Sequence, residues 1–115
     1  KEAGYDIPEA EFRDKVSSAL IVEGLRIGSW QRMPLPAQSI FKDKVGYGKG
    51  SPWTDGHYKG NATYNPDEFP VAKKVADQTM WLSNMYFWPS TKEDVDYAIN
   101  AFDKVFTQLE NVVKM

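Results

Sequence analysis

From Gln31 to Glu68 the chain reads QRMPLPAQSIFKDKVGYGKGSPWTDGHYKGNATYNPDE, with neither a helical nor a strand period. Irregular segments of roughly forty residues are uncommon in compact domains, and are usually functional or held by something outside the domain. Its centre, KGSPWTDGHY (residues 49–58), packs two glycines, a proline, a tryptophan, the sole histidine and a tyrosine into ten positions. Any fold for this chain must find a place for that aromatic, turn-rich loop.

Regular structure is expected on both sides of it. In YDIPEAEFRDKVSSALIVEG, Asp6 offers an N-cap carboxylate with Glu9 three residues on, and Pro8 suits a first turn. Phe12, Val16, Ala19 and Leu20 recur at helical spacing, and Gly24 is a natural stop. LRIGSW (25–30) alternates as a short strand ending in Trp30. FPVAKKVADQT restarts a helix with Pro70 near its first position and Val71, Ala72, Val75 and Ala76 as an apolar stripe. MWLSNMYFW (80–88) reads as a buried strand that places Trp81 and Trp88 in the core. Ser90 and Glu93 have capping-box spacing, and from Val95 to Val113 an apolar face predicts one helix of about five turns.

The order is therefore helix, strand, long loop, helix, strand, helix. These elements predict a single α/β (α+β two-layer) domain over residues 1–115: a sheet of two to three short strands packed against about three helices. Two short strands cannot cover their own edges, so a third strand, a neighbouring domain or a second copy is expected to complete the sheet.

At 115 residues with 42% apolar content, the chain is long enough for one core. Sixteen acids and fourteen bases are interspersed, so no basic face offers itself to nucleic acid. The longest apolar stretches are broken by Glu23, Gly24 and Arg26, or by Ser83 and Asn84, which argues against a membrane span. Without cysteine, neither a disulfide nor a thiolate metal site is possible, and a reducing, cytoplasmic setting is expected. The Asn61-Ala62-Thr63 triplet is taken as an incidental glycosylation pattern, and the start at Lys1 suggests a cut chain.

The candidate chemistry is sparse. His57 reads either as a general base or ligand-binding imidazole, or as a loop histidine without a task. No serine lies in a nucleophile elbow, and VGYGKG fits neither phosphate-loop spacing. Trp30, Trp53 and Tyr58 lie on or beside the loop and suit stacking on a sugar or other ring, with Tyr47, Tyr64 and Tyr86 as further aromatics. Arg32 reads either as a bidentate clamp for carboxylate or phosphate, or as a solvated cation.

Four segments in order resemble the C-terminal small domain of the DegT/StrS family of pyridoxal-phosphate-dependent sugar aminotransferases. They are FRDKVSSALIVEGLRIGSW, MPLPAQSIFKDKVGYGKGSPW, FPVAKKVADQTMWL and STKEDVDYAINAFDKV. The chain departs from the family pattern at Ser51, where a cysteine is usual, at Ala37 and Gln38, near a usual histidine, and at Asn84. No family role is carried over to those positions.

The resemblance implies a fold-type-I enzyme that moves an amino group from an amino acid to a keto-sugar or cyclitol. Its pyridoxal phosphate would be held by a lysine of a large domain that this sequence does not contain. It further implies that this part binds no cofactor itself, shapes the acceptor pocket and is inactive alone. Trp30, Arg32, Trp53, His57 and Tyr58 would face the sugar, and a homodimer is expected. The alternative is a stand-alone, non-catalytic module of the same fold that binds a sugar or a protein. An independent enzyme is disfavoured, because too few titratable groups converge anywhere in the sequence.

Overall fold

The computed structural model describes residues 4–83 and 88–115. They form a mixed α+β protein dominated by helix, with five helices and one two-stranded antiparallel sheet among the described residues. The chain divides into two compact units, one formed by Lys1–Trp30 with Gln78–Met115 and the other by Gln31–Asp77.

The first unit is built on α1 (Glu9–Val22). The Asp6 and Glu9 capping pair does not form: Pro8 occupies the N-cap position, no side chain caps the helix, and the acidic residues of the first turn are Glu9 and Glu11. The stop at Gly24 does form. Gly24 has φ +92°, its N–H bonds the Ile21 carbonyl at 2.9 Å, and the Leu25 N–H bonds the Leu20 carbonyl at 3.0 Å. This paired reversal satisfies two orphan carbonyls and places Leu20 and Leu25 together in the core.

Strands β1 (Ile27–Gly28) and β2 (Trp81–Leu82) pair antiparallel with Ile27 opposite Leu82 and Gly28 opposite Trp81. The sheet is far shorter than the sequence suggests, and no third strand joins it among the described residues. Beyond Ser83, the expected strand runs into residues 84–87, so Asn84 and Tyr86 lie outside the described residues. Trp88 is 94% exposed rather than in the core, and Trp81 is 40% exposed.

The last helix is two: α4 (Lys92–Thr107) and α5 (Leu109–Lys114). The chain bends at Gln108, whose φ of −108° leaves the helical range. The bend lets Val112 and Leu109 rejoin the core over α1. An unbroken helix is not needed to keep the apolar face covered, and Val95, Ile99 and Phe106 from that face remain exposed. The cap is one residue later than the Ser90 and Glu93 reading. The Thr91 N–H donates to the Asp94 carboxylate at 2.7 Å, and the Thr91 hydroxyl accepts the Asp94 N–H at 3.4 Å. The same spacing recurs one residue on, and the Asp94 carboxylate makes the return bond.

The core of this unit comprises Val16, Ala19, Leu20, Leu25, Ala98, Ala101, Val105 and Val112. Its largest fully buried side chains are only Leu20 and Val16. Tyr97 and Lys104 of α4 both reach Glu23 at the end of α1, the tyrosine hydroxyl donating to its carbonyl and the ammonium meeting its carboxylate at 2.7 Å.

The second unit gives the long irregular segment more structure than its sequence predicts. It contains 3-10 turns at Leu35–Ala37 and Pro66–Glu68, the short α2 (Ser39–Lys42) and α3 (Pro70–Gln78), whose last residue belongs to the first unit. On α3 only Ala76 is buried, so the expected stripe of Val71 and Val75 faces outward. No helix among the described residues is long and apolar enough to cross a membrane.

Candidate functional site

The loop's geometry starts from a tight reversal. Tyr47 and Ser51 exchange backbone hydrogen bonds at 2.8 and 3.0 Å, with Gly48 (φ +58°) and Gly50 (φ +92°) turning the chain between them. Gly46 and Gly50 backbones press together: a Cβ on Gly46 would lie 2.3 Å from the Gly50 carbonyl carbon. That close approach is what the alternating glycines of VGYGKG supply.

After the reversal, Trp53 enters an aromatic cluster. Its ring meets Phe41 edge-on at 6.2 Å and Tyr64 edge-on at 6.1 Å, and Phe41 and Tyr64 stand 5.7 Å apart. The indole N–H donates to the Tyr64 hydroxyl at 3.2 Å, so the one polar atom of the half-buried tryptophan is satisfied within the loop. The Thr54 hydroxyl ties the following turn back to the Gly50 carbonyl at 3.2 Å.

The next stretch is ordered by local side-chain bonds. The Asp55 carboxylate accepts the His57 N–H at 3.0 Å. That backbone donor, helped by the Ser51 side chain, holds the Asp55 pKa below the ordinary carboxylate value. The Tyr58 hydroxyl accepts the Ala62 N–H at 3.0 Å, and its ring lies so close to Gly60 that a Cβ there would be 2.5 Å from the phenol oxygen.

Of the five residues nominated from sequence, Trp53, His57, Tyr58 and Arg32 belong to the second unit, and Trp30 to the first. Trp53 is engaged with the loop's own aromatics. His57 and Arg32 are exposed, and Tyr58 is exposed at the edge of its own turn. No hydrogen bond or ring contact joins Trp53, His57 and Tyr58 to one another. Trp30 is 83% exposed. Sequence reasoning missed Phe41 as a partner of Trp53; its only signal was the aromatic density of residues 41–64, because the contacts span more than ten positions without a period.

A groove of about 200 Å³ opens on the first unit, lined by Ala19, Val22, Lys104, Gln108, Val112 and Met115 among others, and contains none of these five residues. Among the described residues no three potential metal ligands cluster. Every described lysine is exposed except Lys15, which is half-buried and 3.7 Å from Glu11. A lysine that binds pyridoxal phosphate needs an enclosed pocket that keeps its amine reactive, and none of these sites offers one. The described residues do not by themselves fit that cofactor.

No known protein family matches the chain, and comparison with curated proteins and with solved structures returns no match.

Proposed function

We propose that this chain is the acceptor-shaping small domain of a cytoplasmic, homodimeric aminotransferase that uses pyridoxal phosphate and moves an amino group onto a keto-sugar or cyclitol. The ordered likeness of its segments to the DegT/StrS small domain motivates the reading. The observation that carries it is where the aromatics lie. Trp30, Tyr47 and Trp88 are 83%, 89% and 94% exposed, while the buried apolar residues among those described are alanines, valines and two leucines. A domain built to stand alone would draw its largest apolar side chains inward. Their exposure fits surfaces that a large domain or partner subunit covers, and such a neighbour would also complete the sheet.

The cofactor, bound by that large domain, would supply the electron sink for the amino transfer. This chain's residues would bind and orient the acceptor. Trp53, fixed at its edges by Phe41 and Tyr64, offers a rigid ring to the C–H face of a sugar, and the exposed His57 and Tyr58 offer polar tips to its hydroxyls. Arg32 would hold a carboxylate or phosphate on the acceptor.

The test is kinetic, in the complete enzyme. Replacing His57 or Trp53 by alanine is expected to raise KM for the acceptor about tenfold while the half-reaction with the amino donor stays unchanged. Unchanged acceptor kinetics in both variants removes them from the pocket. One observation favours a second reading, a stand-alone sugar- or protein-binding module: the loop satisfies its own tryptophan N–H and packs its own aromatics without outside help.

A further inference from the structure

The outer face of the β1–β2 ladder belongs to no site described so far. Ile27 and Leu82 are paired across the ladder and pack against the core. Alternation therefore puts Arg26, Gly28, Trp81 and Ser83 on the opposite face.

Gly28 faces Trp81 directly, and the indole occupies the space a side chain would take. A Cβ on Gly28 would lie 2.8 Å from the Trp81 Nε1 and 3.0 Å from its Cε2. The ring is thus pressed against strand backbone while the residue stays 40% exposed. Its N–H has no acceptor among the described residues, whereas the N–H of Trp53 does. Arg26 stands beside it, its carbonyl accepting the Ser83 N–H at 2.8 Å. The Arg26 side chain is exposed, and its guanidinium makes no hydrogen bond or ion pair with a described residue.

This face combines a backed, partly exposed aromatic surface, a serine hydroxyl, and a cation lacking a counter-charge among the described residues. Indole surface suits the C–H face of a sugar ring, the serine hydroxyl suits its hydroxyls, and the unpaired guanidinium complements one anionic substituent. We propose that the outer face of the β1–β2 ladder binds an anionic pyranose, with the ring on Trp81 and its carboxylate or phosphate on Arg26. The inference does not rest on the aminotransferase reading, which uses neither residue.

The test titrates the full chain, labelled with nitrogen-15, with glucuronate, glucose 6-phosphate, glucose, acetate and inorganic phosphate, following the tryptophan indole N–H resonances. At least one anionic sugar is expected to shift the Trp81 resonance saturably, and to bind about tenfold more tightly than glucose. Which of the two does so tells a carboxylate from a phosphate ligand. Arg26→Gln is expected to reduce that sugar to the affinity of glucose, and Trp81→Ala to abolish both. Arg26 is a surface residue, so its variant remains informative if the tryptophan variant misfolds. The proposal is overturned if no sugar shifts Trp81 saturably, if acetate or phosphate alone reproduces the response, or if Arg26→Gln leaves the preference for the charged sugar intact.

Discussion

Replacing Trp53 by phenylalanine keeps most of the ring contacts with Phe41 and Tyr64 but removes the donor that meets the Tyr64 hydroxyl. The expected cost is about 1 kcal/mol for the bond alone. Trp53→Ala removes the ring as well and is expected to cost about 2 kcal/mol more, less than in a closed core because the residue is half-buried. Hydrogen exchange at the Tyr47 and Ser51 amides measures both, and faster exchange in the order alanine, phenylalanine, wild type is the expected result. Asp55 gives a pH-dependent counterpart. Its pKa is lowered on folding, first by the His57 N–H and then by the Ser51 side chain. The folded carboxylate therefore adds order to the loop above the unfolded value of about 3.9, and that contribution fades as pH falls through the lower folded value. A carboxyl carbon NMR titration is expected to place Asp55 below an unfolded-peptide reference, and Asp55→Asn to loosen residues 55–58 at neutral pH.

At the scale of elements, the last two helices show what can be read from a chain and what cannot. The capping box that starts α4 is legible, but two overlapping pairs satisfy its spacing. Only the geometry selects Thr91 and Asp94 over Ser90 and Glu93. Thr91→Ala is therefore expected to cost about 1 kcal/mol and Glu93→Ala much less, read from thermal unfolding. The bend at Gln108 is not legible, because neither glycine nor proline marks it and packing of Val112 onto the core decides it. Helix α1 and its stop at Gly24 follow from local rules: a glycine with positive φ reverses the chain, and Leu20 and Leu25 close over the turn. The loop is the opposite case. Its glycines mark where it turns, but the cluster of Phe41, Trp53 and Tyr64 depends on contacts that no short window contains. Gly46→Ala is expected to break the reversal, since its Cβ would meet Gly50 backbone rather than a movable side chain. Loss of the Tyr47 and Ser51 amide protection reports that outcome.

For the molecule as a whole, the distribution of large apolar side chains matters more than any single contact. Strand patterning places Trp88 inside; the structure exposes it together with Trp30, since the sheet that would bury them is only two residues wide on each strand. Length and composition predict a core, and one is present, but not which aromatics it leaves outside. Acrylamide quenching of the isolated chain is expected to show a readily accessible tryptophan population, which shrinks when the proposed large domain is supplied. The most direct measurement is the coding sequence upstream of Lys1. It is expected to continue in frame into a large domain with a lysine that binds pyridoxal phosphate. A start codon immediately before Lys1 would contradict the aminotransferase reading and leave the loop as the binding surface of a separate module.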